Sequence, residues 1–221
     1  MKKTSKILLI VLSLVLVLIV LTGCGNNAEK NITEDNTVVG NNENLSAKEA
    51  IARGVIDENN VYTSEFADIT FTLPEGLRYA DDTEIANMMN VGAELLTENE
   101  EDVTEILEQT ALYDMVAKDD YYGTSVMVMF EKATLDVSVD YYLKNVKTGL
   151  ESVTAYNYEV SDEITTETVG GKEYKVLTAT VPAYGLTQKY YVEKKDGYFI
   201  DILVTYYDTY VDLDTLLANF Q

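Results

Sequence analysis

Two short stretches carry apolar side chains toward both sides of a strand, and they limit the architectures open to this chain. In Thr124–Glu131, Val126, Val128 and Phe130 alternate with Met127 and Met129. In Tyr198–Tyr206, Ile200, Ile202 and Val204 alternate with Phe199 and Leu203. Successive strand side chains point to opposite faces. A strand apolar on both faces is therefore central and covered on both sides.

The neighbouring segments supply partners and cover. Val61-Tyr62 opens a first strand. Ile69, Phe71 and Leu73 then alternate with Thr70 and Thr72, the pattern of a strand with one buried face, and Pro74-Glu75-Gly76 ends it. From Asp82, Ile85, Met88, Met89, Leu95 and Leu96 fall on one side of a helix, with Asp82 or Thr83 near its cap. A second helix is expected after Asn99, with Glu100, Glu101 and Asp102 in its first turn. Leu112–Lys118 and Thr124–Glu131 form a hairpin around Asp119-Asp120-Tyr121-Tyr122-Gly123. Ser138 caps a helix whose stripe is Val139, Tyr142, Leu143, Val146 and Leu150. Tyr156–Val169 pairs with Tyr174–Val181 through Gly170-Gly171. Tyr190–Glu193 and Tyr198–Tyr206 flank Lys195-Asp196-Gly197, a strong hairpin signal. Leu213, Leu216, Leu217 and Phe220 make a short closing helix. The expected class is α/β (α+β), one domain over residues 61–221, with a central antiparallel sheet flanked by helices on its faces.

The N-terminus has a different logic. Lys2, Lys3 and Lys6 precede an apolar run, Ile7–Leu21, interrupted only by Ser13. That run is shorter than the ~20 residues that cross a bilayer core and suits a signal peptide. Leu21-Thr22-Gly23-Cys24 follows directly and resembles the bacterial lipobox. The resemblance implies cleavage between Gly23 and Cys24, with diacylglycerol, and optionally an N-acyl chain such as palmitate, on Cys24. An uncleaved signal anchor with an incidental cysteine is the other reading. Residues 1–23 are thus the expected signal peptide, and 24–60, rich in Asn and Glu, a flexible tether with a short helix conceivable near Ser46–Ile56. The expected location is the extracytoplasmic face of the cell membrane.

Composition excludes several chemistries. The 221 residues carry a formal charge of −22. Loss of Lys2, Lys3 and Lys6 with a cleaved signal would leave 13 basic against 38 acidic side chains, a charge of −25. Such a body repels nucleic acid. There is no histidine, and Cys24 is the one cysteine. Histidine triads, imidazole metal sites and, with Cys24 acylated, thiol catalysis are removed.

An opening strand ending in Pro-x-Gly, a helical section, a hairpin, a helix, a long meander and a short final helix resemble the PsbP-like fold. That fold is shared by the photosystem PsbP subunit, the Ran-binding Mog proteins and many bacterial lipoproteins. The resemblance spans Val61–Gln221. Leu77 stands where those proteins often carry Trp after the Pro-x-Gly. The family has no common catalytic residues, so the resemblance implies a sandwich fold and no site residue.

Candidate sites are few. Asp119, Asp120, Tyr121 and Tyr122 place two acids and two rings on one hairpin tip, which reads either as a binding surface or as a solvated turn with one ring packed back. Asp119 with Asp120, and Asp208, Asp212 and Asp214, could offer oxygens to Ca²⁺, although neither group has EF-hand spacing. Seventeen tyrosines include the pairs 121–122, 141–142, 190–191 and 206–207, each expected to send one ring inward and one outward. Outward rings could line a sugar or peptide groove. No catalytic residue, metal site or non-covalent cofactor is expected. The leading function is a non-catalytic binding or accessory module for an envelope protein or glycan. A carboxylate-dependent hydrolase of envelope polymers and a Ca²⁺-dependent structural lipoprotein are the alternatives.

Overall fold

The computed structural model describes residues 51–88, 111–133 and 136–221. The segment with Gly23 and Cys24, the stretch to residue 50, Met89, Leu95, Leu96 and the helix expected after Asn99 lie outside the described residues.

Among the described residues the strands and bounded helices follow in the order β1 (Val55–Ile56), β2 (Val61–Ser64), β3 (Ile69–Thr72), β4 (Arg78–Tyr79), β5 (Ala111–Lys118), β6 (Ser125–Lys132), α1 (Val139–Ser152), β7 (Glu159–Val160), β8 (Thr165–Val169), β9 (Lys172–Val181), β10 (Leu186–Lys195), β11 (Tyr198–Tyr206) and α2 (Leu213–Leu217). A further helical segment occupies residues 82–88. The large sheet has the order β4-β5-β6-β11-β10-β9-β7, with β8 also on β9. The strands with two apolar faces, β6 and β11, lie side by side in its middle, Val128 opposite Ile202. Both residues are completely buried.

Each face of that pair belongs to a different core. Met127, Met129, Phe199 and Leu203 share one with Tyr142, Leu143, Val146 and Leu150 of α1 and with Ile85 and Met88 of the 82–88 segment. Val126, Val128, Phe130, Ile200, Ile202 and Val204 share the other with Tyr62, Ile69, Phe71, Leu216 and Phe220. The turns follow the sequence chemistry. Asp196 and Gly197, and likewise Gly170 and Gly171, all have positive φ. Positive φ at both central residues matches the twist of a two-residue hairpin. Ser138 caps α1, its hydroxyl accepting from Tyr141 N–H.

The structure corrects the sequence reading in four places. First, the second face of the large sheet is covered mainly by a separate three-stranded sheet, β1-β2-β3, and only partly by α2. Tyr62, Ser64, Ile69 and Phe71 are buried while Thr63 and Thr72 are exposed, and one wet face suits an outer layer. Second, the tether does not extend to residue 60. Asp57-Glu58-Asn59-Asn60 is a turn in which the Asp57 carboxylate accepts from Asn59 N–H (2.9 Å) and Val61 N–H (2.8 Å), and β1 before it pairs with β2. Polar residues that look like linker are here turn residues, and Val55–Ile56 is a strand where a short helix was conceivable. Third, Tyr156–Val169 contributes two short strands, β7 and β8, which pair with different parts of β9. Fourth, Asp81 caps the 82–88 segment instead of Asp82 or Thr83. Its carboxylate accepts from Glu84 N–H (2.8 Å), and the Glu84 side chain accepts from Asp81 N–H (3.2 Å). This reciprocal pairing satisfies two amides at once.

Candidate functional site

The hairpin tip between β5 and β6 is shaped by its first acid. The Asp119 carboxylate accepts from the backbone amides of Tyr121 (2.7 Å), Tyr122 and Thr124 (2.7 Å). Gly123, at φ +86°, completes the bend. Asp120 has a different fixed role. Its two oxygens accept from Arg78 Nε (2.7 Å) and Nη2 (2.8 Å). The same guanidinium donates to both oxygens of Glu84, which also accepts from Lys118 Nζ at 2.8 Å. These hydrogen bonds hold the Glu84 and Asp120 carboxyls below the usual range and push Arg78 up. The tip is thereby tied to the 82–88 segment.

Those commitments leave little for a cation. Asp119 and Asp120 already have donors on their oxygens, and Asp212 caps α2, accepting from Asp214 N–H (3.3 Å) and Thr215 Oγ1–H (3.2 Å). Among the described residues no three or more acidic, His or Cys side chains gather in a metal-binding group.

The tyrosines form a more distinctive arrangement. Tyr122 stacks on Tyr210, 4.7 Å between centroids and 27° between planes. Tyr210 in turn meets Tyr207 edge-on at 6.1 Å. Tyr207 rests over Gly123, with its hydroxyl 3.6 Å from where a Cβ would stand. Burial, and then the nearby Asp119 carboxylate, push the Tyr207 hydroxyl up. Tyr121, Tyr122 and Tyr210 are 77%, 51% and 62% exposed. Two loops, each leaving a central or near-central strand of one sheet, thus combine into an aromatic shelf.

The sequence pointed to Tyr121 and Tyr122 but not to Tyr210. The available signal was Tyr206-Tyr207-Asp208-Thr209-Tyr210, a tyrosine-dense run just past β11. The expectation of one inward and one outward ring holds for Tyr141 and Tyr142, 47% and 1% exposed. It fails for Tyr190 and Tyr191, both fully buried because β10 is covered on both faces, and for Tyr121 and Tyr122, both outside on a loop.

A second polar cluster lies inside the first core. Asp201, on the β11 face of Phe199 and Leu203, is completely enclosed, and neither carboxylate oxygen has a hydrogen-bond partner. Glu131 projects from the same sheet face on β6 and accepts from Tyr142 Oη–H at 2.9 Å. Burial pushes the Glu131 carboxyl up to about 8 against the opposing Tyr142 hydrogen bond. Burial, reinforced by Glu131, pushes Asp201 well above the carboxylate range. Both are withheld from any polymer outside.

A third feature joins the two sheets. β5 is irregular between Tyr113 and Met115, and the intervening Asp114 turns its carboxylate toward the outer sheet. It accepts from Gly54 N–H at 2.9 Å to each oxygen and from Tyr62 Oη–H at 2.5 Å. Beside it opens a cleft of about 430 Å³ that Arg53, Gly54, Asp81 and Asp82 also line. Its cation is engaged, since Arg53 donates to Asp82 (3.0 Å) and to the carbonyls of Tyr113 and Asp114 (3.4 Å each).

Comparison with known proteins finds no matching family model and no matching curated protein. Among solved structures, the chain is similar to the solution structure of cyanobacterial PsbP (CyanoP) from Synechocystis sp. PCC 6803, at 13% identity and a TM-score of 0.43. The match covers 80% of this chain and 97% of that one.

Proposed function

We propose that this chain is a lipid-anchored protein of the extracytoplasmic membrane face whose folded body is a non-catalytic binding module, docking an envelope partner on the tyrosine shelf. The observation that carries the reading is the exposed Tyr122–Tyr210 stack built from two loops. Tyrosine is favoured at binding hot spots because its ring offers a large amphipathic surface at low entropic cost. The acids at the tip hold the loop and anchor Arg78, and the rings are its exposed aromatic surface. The alternative of a carboxylate hydrolase draws no support from Glu131 and Asp201, whose raised protonation equilibria belong to core residues 3% and 2% exposed. The anchor is supported by the basic and apolar segments ahead of Leu21-Thr22-Gly23-Cys24.

Two experiments test this reading. In a lipoprotein-processing host, the wild-type chain will fractionate with membranes at the mass of a cleaved, acylated product. Cys24→Ala will keep the precursor mass and lose acylation; equal mass and membrane retention for both would overturn the anchor. In native cells, a photocrosslinking residue at position 121 will give a discrete adduct, whereas one at exposed Thr166 on β8 will not. Tyr210→Ala will abolish the adduct at 121 with little change in Tm, because the ring is largely in solvent. An adduct indifferent to Tyr210→Ala would remove the shelf as the docking surface.

A further inference from the structure

We infer that the cleft beside Asp114 binds a small α-amino acid with an apolar side chain, held as the zwitterion between Arg53 and the carboxylates of Asp81 and Asp82. This cleft shares no residue with the tyrosine shelf, so the inference goes beyond the docking reading and does not depend on it. The cleft exists because β4 is short. β4 pairs with β5 only at Lys118 and Ala117, and Ala80 N–H reaches one residue further, to Val116 O at 2.8 Å. The chain then turns off at Asp81 into the 82–88 segment. Beyond Val116 the outer edge of β5 has no strand beside it among the described residues. Arg53 stands there instead, with Nη2 on the carbonyls of Tyr113 and Asp114. The resulting cleft of about 430 Å³ lies within the ~300–1,000 Å³ range of small-ligand sites. Ile56, Ala80 and Ile85 give it apolar lining, and Arg53, Asp81 and Asp82 give it charge.

These charged groups have bonding capacity left. A guanidinium fork carries more N–H donors than Arg53 spends here. One Nη1 hydrogen goes to Asp82 and Nη2 serves the two carbonyls. The second Nη1 hydrogen and Nε–H, which stands 3.8 Å from Asp114 Oδ1, have no hydrogen-bond acceptor among the described residues. Asp81 accepts at Oδ1 from Glu84 N–H, and Asp82 at Oδ1 from Arg53. Oδ2 of each has no donor among the described residues. The Arg53 and Asp82 side chains are 46% and 87% exposed, so a solute reaches both.

Spare donors beside spare acceptors select the charge type of the ligand. A simple anion would face two carboxylates, and a body of charge −22 opposes its approach. A simple cation would lie against Arg53. A zwitterion satisfies both sets of groups and carries no net charge. Arg53 and Asp82 touch at 3.0 Å, so the two charges of the ligand must also be neighbours, as they are on the α-carbon of an amino acid. Its apolar side chain then leaves water for the lining of Ile56, Ala80 and Ile85.

The test uses the purified full-length protein in neutral detergent and calorimetric titration at about pH 6.5, where an α-amino group is charged. The probes are L-leucine and two relatives with the same side chain and one charge each, leucinamide (ammonium only) and N-acetylleucine (carboxylate only). The wild type will bind L-leucine about tenfold more tightly than either relative, because each has lost charged hydrogen bonds. Asp82→Asn will narrow the gap between leucine and N-acetylleucine, and Arg53→Gln the gap between leucine and leucinamide. Asp82→Asn alters a side chain that is mostly in solvent and will melt like the wild type, so it guards against any loss of folding through Arg53. No binding of L-leucine at millimolar concentration, equal affinity for the three probes, or discrimination unchanged in both variants would overturn the inference. Tighter binding of leucinamide than of leucine would overturn it in favour of a cation site. Binding of aminocaproate, whose charges sit at opposite ends of its chain, as tightly as leucine would overturn the α-amino acid assignment. The crosslink at position 121 reads the tyrosine shelf separately, so failure of one reading leaves the other standing.

Discussion

Asp201→Asn will stabilise the folded body at pH 8 while leaving it nearly unchanged at pH 4. Asp201 is fully enclosed with both oxygens unbonded, and its protonation equilibrium is displaced upward by burial and by Glu131. The unfolded chain releases this proton near the ordinary aspartate value of 3.8, whereas the folded chain retains it. The stability is therefore fully present below that value and is lost as the pH rises toward the folded one. Glu131 adds a second window, from its ordinary 4.5 to about 8. Within each window folding weakens by about 1.4 kcal/mol per pH unit for that group. Tyr113, Tyr142 and Tyr190 also face the pair, with hydroxyls pushed up and neutral throughout this range. Denaturant unfolding at pH 4, 6 and 8 will show a steep decline for the wild type and shallower ones for Asp201→Asn and Glu131→Gln. General repulsion within the acidic body contributes to all three profiles. Parallel profiles would show that the buried acids are not responsible.

Asp114→Ala will cost about 3–5 kcal/mol, the range for removing one partner from a buried charged network. The Asp114 side chain is fully enclosed, with Arg53 Nε 3.8 Å away. Its removal leaves Gly54 N–H and Tyr62 Oη–H without an acceptor between the two sheets. Gly54→Ala will fail at the same joint from the other side. A Cβ there would stand 2.4 Å from Tyr62 Cε2, 2.8 Å from Asp114 Oδ2 and 2.9 Å from Thr63 O. Both variants will lower Tm by roughly 10 °C in thermal melts, taking 2–4 °C per kcal/mol for a body of this size. Hydrogen exchange should accelerate first in β1 and β2. Wild-type melting of either variant would mean that the outer sheet is held by its apolar face alone.

The parts of this fold legible in the sequence are those governed by strict periodicity or by turn chemistry. Val126 to Phe130 and Phe199 to Val204 announce two-sided burial, and the structure places them together with that division of faces. Asp196-Gly197 and Ser138 specify their turn and cap in the same way. What escaped depends on partners distant in the chain. Asp57–Asn60 looks like linker until Val55–Ile56 is seen to pair across it. Asp114 reads as an interruption in β5, and its value emerges only from Gly54 and Tyr62, which reach it from another layer. Asp201 reads as an ordinary polar residue on a strand, yet the cover over its face buries both oxygens with no hydrogen-bond donor. At the shelf, Tyr121 and Tyr122 stood out by their loop, while Tyr210 acquires meaning only through contact with a tip far back in the sequence.

The pairing of β6 with β11 also carries a consequence for the time course of folding. Val128 and Ile202, opposite one another at the centre of the molecule, are 74 positions apart along the chain. Closing so long a loop costs entropy before any native contact rewards it, and high contact order slows folding. A chain emerging N-terminus first presents β6, apolar on both sides, well before its partner arrives. During that interval the unpaired edge of the strand is an adhesive surface. Refolding from denaturant should accordingly run in the millisecond-to-second range typical of sheet-rich topologies.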